Sequence, residues 1–147
     1  MFTGSHQLTI DEKGRLAIPA RYREELAESC RSQLVITRGP NPCLEIYPAH
    51  EFLRVADEID LMEDREQAEL VKSVFVGLAC ETEIDKQGRV LLPPLLRRYA
   101  RFNGSGVLMG QTRRFDLWPE DAWNERFGDG PGSILPGIAS AFRTLKR

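Results

Sequence analysis

Ile10-Asp11-Glu12-Lys13-Gly14-Arg15-Leu16-Ala17-Ile18-Pro19 recurs 74 positions later as Ile84-Asp85-Lys86-Gln87-Gly88-Arg89-Val90-Leu91-Leu92-Pro93. Ile, Asp, Gly, Arg and Pro hold the same places in both strings, and Leu16/Val90 and Ile18/Leu92 keep their apolar character. Upstream the match weakens, with Leu8 facing Thr82; downstream it continues. Each Pro precedes a short amphipathic stretch, Arg21 to Leu26 and Leu95 to Ala100. Later, Leu44-Glu45-Ile46-Tyr47-Pro48 with Phe52 is echoed by Phe115-Asp116-Leu117-Trp118-Pro119 with Trp123. The chain is two copies of one unit, and a repeat of this kind decides the architecture. A unit of roughly 70 residues buries only a little over about 60% of its unfolded surface and is marginal alone. The copies are therefore expected to fold as one body.

Within each copy the pattern predicts strands around Leu8–Ile10 and Leu16–Ile18, which alternate apolar with polar or small residues. Between them Asp11-Glu12-Lys13-Gly14 suits a type I turn closed by a left-handed Gly, a three-residue hairpin connection, and Asp85-Lys86-Gln87-Gly88 repeats it. Pro19 and Pro93 suit helix starts, with Tyr22/Leu26 and Leu96/Ala100 on the buried side. Further strands are expected at 34–37 and 43–47, and their counterparts at 107–110 and 115–118. From about 48 to 79 the pattern turns helical, as two helices meeting near Glu63-Asp64. Phe52, Val55, Ala56 and Ile59 make one apolar stripe, and Ala68, Val71 and Phe75 another. Gly128 to Ser133 reads as a joint, and the basic tail beyond it as a short helix after Pro136-Gly137 or a disordered end.

The 147 residues, 41% apolar and 29% charged, describe one soluble globular body. No apolar run nears the ~18 residues of a membrane helix, and no signal-peptide pattern opens the chain. Cys30, Cys43 and Cys80 are odd in number and widely spaced, reading as free thiols of a reducing cytoplasm and not as a zinc site or disulfide frame. The net charge of −2 argues at first against nucleic acid. Its distribution argues otherwise. Residues 51–70 carry eight acidic side chains against Arg54 and Arg65, a local net of −6, so the remainder carries +4. Positive charge gathers around the repeats, on Lys13, Arg15, Arg21 and Arg23 and on Lys86, Arg89, Arg97, Arg98 and Arg101.

Turn chemistry alone accounts for the aspartates: each can close a tight turn as the partner of the arginine four residues on. It accounts less well for Arg15 and Arg89, since any strand-compatible residue can follow the Gly. An arginine near an exposed hairpin tip, present twice, has the planar fork that phosphate or guanine needs.

The string Asp-x-x-Gly-Arg-apolar-x-apolar-Pro followed by an amphipathic helix resembles the swapped-hairpin DNA-binding unit of AbrB-type regulators. Two such units joined by an acidic helical segment, the opening Met1-Phe2-Thr3-Gly4 and the later Phe115 to Pro119 resemble the MraZ family of bacterial transcriptional regulators. The resemblance implies an α+β, β-rich fold in which two swapped-hairpin units form one pseudo-symmetric barrel with a helical connection. The chain is expected to divide into a first unit (1–53), an acidic connection (54–79) and a second unit (80–127), followed by a joint with a basic tail (128–147) that the resemblance does not explain. The resemblance also implies ring-shaped homo-oligomers, a cytoplasmic, nucleoid-associated location, and repression through repeated double-stranded DNA boxes upstream of the division and cell-wall gene cluster. Carried over by position, DNA contact falls to Arg15, Arg23, Arg89, Arg97 and Arg98, and loop orientation to Asp11, Gly14, Asp85 and Gly88; the charge at the loop tips adds Lys13 and Lys86 to the expected DNA contacts. Gln87 facing Lys13, and Glu24 facing Arg98, make the two halves unequal.

No enzyme is expected. His6 and His50 are isolated, and there is no P-loop, dinucleotide Gly fingerprint or metal-ligand spacing, so neither cofactor nor metal is expected. The rival reading is a protein-interaction or antitoxin-like module. The duplicated arginines, and the absence of a long disordered tail for capturing a toxin, favour DNA.

Overall fold

The computed structural model describes residues 1–147. In chain order the elements are β1 (Ser5–Thr9), β2 (Arg15–Ala17), α1 (Ala20–Cys30), β3 (Gln33–Arg38), β4 (Leu44–Pro48), α2 (Ala49–Asp60) and α3 (Arg65–Phe75). They continue as β5 (Cys80–Glu83), β6 (Arg89–Leu91), α4 (Pro94–Ala100), β7 (Ser105–Gly110), β8 (Phe115–Pro119), α5 (Glu120–Phe127) and α6 (Ile138–Phe142). Eight strands and six helices make a sheet-rich α+β fold. Each copy writes strand, turn, strand, helix, strand, strand, helix, and four prolines (Pro19, Pro48, Pro93 and Pro119) stand at the N-caps of the helices that follow them. A proline there forfeits no hydrogen bond.

The antiparallel sheet runs β1-β7-β8-β4-β3-β5, and a separate ribbon pairs β2 with β6. Strands of the two copies therefore interleave. β1 lies against β7 of the second copy (Ser5 opposite Met109), and β5 against β3 of the first (Gln33 opposite Glu83). This differs from two expectations. The turns between β1 and β2 and between β5 and β6 form as predicted, but the flanking strands do not continue as hairpin ladders, because each strand pairs outside its own turn. Nor do the strands close a barrel: β1 and β5 are the two ends of an open sheet. Pro19 and Pro93 follow β2 and β6 almost at once and cannot donate to a ladder, so each ribbon strand is three residues long and bridges neither edge.

One face of the sheet covers a cluster of 17 buried residues drawn from both copies, including Leu16, Tyr22, Leu26, Ile36, Ile46, Val90, Leu92, Leu96, Phe115 and Leu117. Leu16 and Val90, directly opposite in the ribbon, point into it. Tyr22/Leu26 and Leu96/Ala100 are buried as expected. A core shared in this way leaves neither copy a complete interior of its own.

The opposite face carries two helical layers. α2 and α3 cover Val35 and Tyr47 with Phe52, Ile59, Ala68 and Phe75, the rings of Phe52 and Phe75 stacking at 5.1 Å. The helices meet where expected: Asp64 caps α3, its carboxylate accepting from the Gln67 N–H at 3.1 Å. Val71, expected in the buried stripe, stays exposed beside Leu70 and Val74, since the pair covers only its inner face. α5 covers Val107 and Trp118 with Trp123 and Phe127. Beyond it, the Ile134 N–H donates to the Arg126 carbonyl (2.9 Å), and α6 begins after Pro136-Gly137 with its residues exposed.

Between these layers runs a polar row that alternation along the strands would have turned to solvent. Glu45 and Asp116, equivalent in the two copies, are directly opposite and both buried. Arg114 Nε donates to Asp116 at 2.9 Å and stands 4.0 Å from Glu45, which also accepts from the Tyr47 hydroxyl at 2.7 Å. Burial works against the Arg114 charge, yet its pKa is raised by the Asp116 hydrogen bond and both carboxylates. Cys43, in the place Arg114 holds in the second copy, has its thiol pushed up to about 12 by burial and then by the same two carboxylates.

Candidate nucleic-acid interface

The repeated loops are built by one device. Asp11 Oδ1 accepts from the backbone N–H of Lys13 (3.0 Å) and Arg15 (2.9 Å), and Oδ2 accepts from Arg15 Nε (2.8 Å). Asp85 Oδ1 accepts from the N–H of Gln87 (2.9 Å) and Arg89 (2.8 Å), and Oδ2 from Arg89 Nε (3.2 Å). Backbone bonds from Asp11 to the Arg15 carbonyl (3.0 Å) and from Gly14 to the Asp11 carbonyl (2.9 Å) complete the first turn. Gly14 and Gly88 sit at φ +87° and +80°, where a side chain is disfavoured. Both aspartates are held below the ordinary carboxylate range, chiefly by the N–H of the arginine four residues on, with the guanidinium adding to it. The aspartate thus fixes the arginine at two points and leaves the outer guanidinium nitrogens free.

The ribbon brings the two arginines together. Its register sets Arg15 opposite Leu91, Leu16 opposite Val90 and Ala17 opposite Arg89. Side chains alternate between faces, so Leu16 and Val90 enter the core while Arg15, Ala17, Arg89 and Leu91 share the outer face. Arg15 and Arg89 are diagonal neighbours there, about 7–8 Å apart in such a pairing with their Cβ atoms somewhat closer, and each keeps 32% of its side chain exposed. Lys13 and Lys86 are exposed at the loop tips.

Each loop also leans on the helix of the other copy. Arg97 of α4 lies over Gly14, where a Cβ would collide with its guanidinium, and its Nη1 donates to the Glu12 carbonyl at 3.3 Å. Arg23 of α1 lies over Gly88 in the same way, its buried Nε without a hydrogen-bond partner. Arg23 and Arg97 are therefore partly enclosed loop supports, whereas Arg98 is exposed. A cleft of about 590 Å³ opens between the first loop and α4, with Asp11, Glu12, Arg97, Arg98, Arg101 and Asn103 among its walls. Arg101 and Asn103 were not among the residues expected from the motif. Both follow α4, at and beyond its left-handed cap, and only the exchange of partners between copies brings them beside the first loop.

Both loops lie within the residues that family comparison matches. The family model described as "MraZ protein, putative antitoxin-like" matches residues 1–72 and 75–128. The chain belongs to the MraZ family. A relative from Saccharophagus degradans named "Transcriptional regulator MraZ" is 41% identical over 139 residues, covering 92% of this chain and 95% of its own. One of the same name from Pseudomonas aeruginosa is 41% identical over 126 residues, covering 84% and 83%. A third, from Pseudomonas putida, is 40% identical over 126 residues. These MraZ proteins are named as regulators of transcription and not as enzymes. No helix of this family member is long and apolar enough to cross a membrane.

Proposed function

We propose that this chain is a sequence-specific DNA-binding transcriptional regulator whose recognition element is the β2–β6 ribbon. The observation that carries the reading is the pairing of Arg15 and Arg89 on one open face, each braced by an aspartate. A two-stranded ribbon fits the major groove of B-form DNA, and an arginine presents a bidentate donor pair to guanine O6 and N7. The exchange of partners between the two turns is what a swapped-hairpin unit requires, and it makes the ribbon a joint product of both copies. Lys13, Lys86 and Arg98 flank this face and suit phosphate contacts, which position a protein without reading sequence. Arg23 and Arg97 are assigned with them, through the loops they support.

The target in this reading is double-stranded DNA bearing repeated boxes upstream of the division and cell-wall gene cluster. The regulator acts there as a repressor, nucleoid-associated in the cytoplasm. One ribbon per chain is a modest contact, so a ring of copies engaging several boxes supplies affinity through multivalency. Exposed Leu53, Leu61 and Leu70 on and beside α2 and α3 suit such self-association. They also favour a second reading, a module whose main partner is another protein.

The deciding experiment is gel mobility of the protein with its own promoter DNA, with and without excess unrelated duplex. A retarded band that survives the competitor is expected. Its loss to an equal amount of unrelated DNA would reject sequence-specific regulation in favour of the protein-partner reading.

A further inference from the structure

Position 91 breaks the symmetry of the ribbon. Ala17 and Leu91 are equivalent in the two copies, and both lie on the outer face beside an arginine. Leu91 leaves 51% of its surface to solvent, although the core begins one residue away on either side, at Val90 and Leu92. The hydrogen bonds fix its distance from Arg15. Leu92 N–H donates to the Gly14 carbonyl (2.8 Å) and Ile18 N–H to the Gly88 carbonyl (2.9 Å). These mark the hydrogen-bonded pairs, so Arg15/Leu91 and Ala17/Arg89 are the intervening close pairs, with Cα atoms about 4.5 Å apart. An isobutyl group therefore stands next to the first arginine, and only a methyl group next to the second.

Base edges in the major groove offer acceptors to an arginine on guanine and one apolar group, the C5-methyl of thymine. Successive bases rise about 3.4 Å, so a side chain about 4.5 Å from Arg15 reaches the neighbouring base pair. The geometry points to Leu91 as a specificity-determining residue that packs on a thymine methyl adjacent to the guanine read by Arg15. Ala17 is too short to make the same contact beside Arg89. The two halves of the ribbon then read different steps, an arginine–leucine half for guanine with thymine and an arginine–alanine half for guanine alone. The inference rests on the ribbon entering the major groove, as set out above.

Uracil differs from thymine only in lacking the C5-methyl, which makes it the probe. Promoter duplex from the protein's own gene is prepared with thymine or with uracil, alongside unrelated duplex of each kind, and affinities are measured by fluorescence anisotropy. The wild-type chain is expected to favour the thymine form by about fourfold per methyl contacted, the worth of one buried carbon. Leu91→Ala should lose that preference, binding the thymine and uracil forms alike. Leu91→Met should keep it, and Leu135→Ala in the exposed tail should leave it unchanged. Promoter binding that is specific but equal for both forms would overturn the role of Leu91. So would a Leu91→Ala chain that keeps the full preference, or one that changes only its assembly size. Failure of the wild-type chain to prefer its promoter over unrelated duplex in either form would instead overturn the DNA reading, and this inference with it.

Discussion

Asp11 and Asp85 each act as a short extension of the backbone, gathering two N–H groups and one guanidinium around a single carboxylate. The largest influence on each is the N–H of the arginine four residues on, not its side chain. Arg15→Ala should therefore leave the Asp11 midpoint, followed by carbon-detected NMR titration, below the ordinary aspartate range. Return to an ordinary value would show that the ion pair dominates. Because the folded pKa is depressed, the aspartates stabilise the fold above the unfolded value of about 3.9, and that contribution fades as pH falls through the lower folded value. Melting temperatures of Asp11→Ala and Asp85→Ala should lie below wild type near neutrality and converge on it in acid. Arg15→Ala should melt as wild type while losing about 1–3 kcal/mol of operator binding, the typical worth of a bidentate base contact. Unaltered affinity would remove Arg15 from the interface. This level was the most legible in the sequence, because turn geometry is local and the motif is written twice. Glu45 and Asp116 were not legible: alternation turns them outward, and only the helical layers above the sheet bury them.

Among the elements, α1 and α4 are equivalent in place and unequal in charge. With its cap Arg31, α1 carries three arginines and three glutamates; with its cap Arg101, α4 carries three arginines and no acid. Since α4 supports the first loop, its charge adds to that of Lys13, while Gln87 and Glu24 fall together on the other side. Each phosphate neutralised contributes a slope of about −0.9 in log affinity against log salt on B-form DNA. Arg98→Gln should flatten the measured slope by roughly one such unit and Glu24→Gln should not flatten it; equal effects of both would place these helices away from the phosphates. The inequality of Lys13 and Gln87 was visible in the sequence. Its addition to the α4 arginines was not, because loop and helix lie more than 80 residues apart and meet only through the exchange of partners. The break near Glu63-Asp64 was legible from two separate apolar stripes, its cap was seen only in the structure, and Asp64→Ala should lower stability by about 1 kcal/mol in urea titration.

For the whole molecule, the shared core makes the two copies one thermodynamic unit. Residues 1–79 alone should show no cooperative transition by circular dichroism, and the complete chain a single one. Two separate transitions would mean that each copy folds by itself. Arg114 offers a second test at this scale. Replacing it by Met leaves two facing buried carboxylates without their cation, and removing one partner from a buried charge network typically destabilises by about 3–5 kcal/mol. A chain that melts as wild type would show that water reaches the row. Two repeated units and a shared interior were legible from the period and the apolar pattern. The open sheet in place of a barrel was not, because strand length there is set by how soon each proline ends the ribbon, and no periodicity reports which edge a three-residue strand leaves unbridged.

The pairing of β1 with β7 also sets an order of events during synthesis. Ser5 leaves the ribosome before its partner Met109, which follows 104 residues later. At about 5–20 residues per second, the first strand waits on the order of ten seconds with its edge unpaired. Pairings this distant in sequence slow folding, since the loop must close before any contact rewards it. The nascent chain is thus most exposed to aggregation before its second copy exists, and a pause in translation between the two repeats would lengthen that exposure instead of helping the first half to fold.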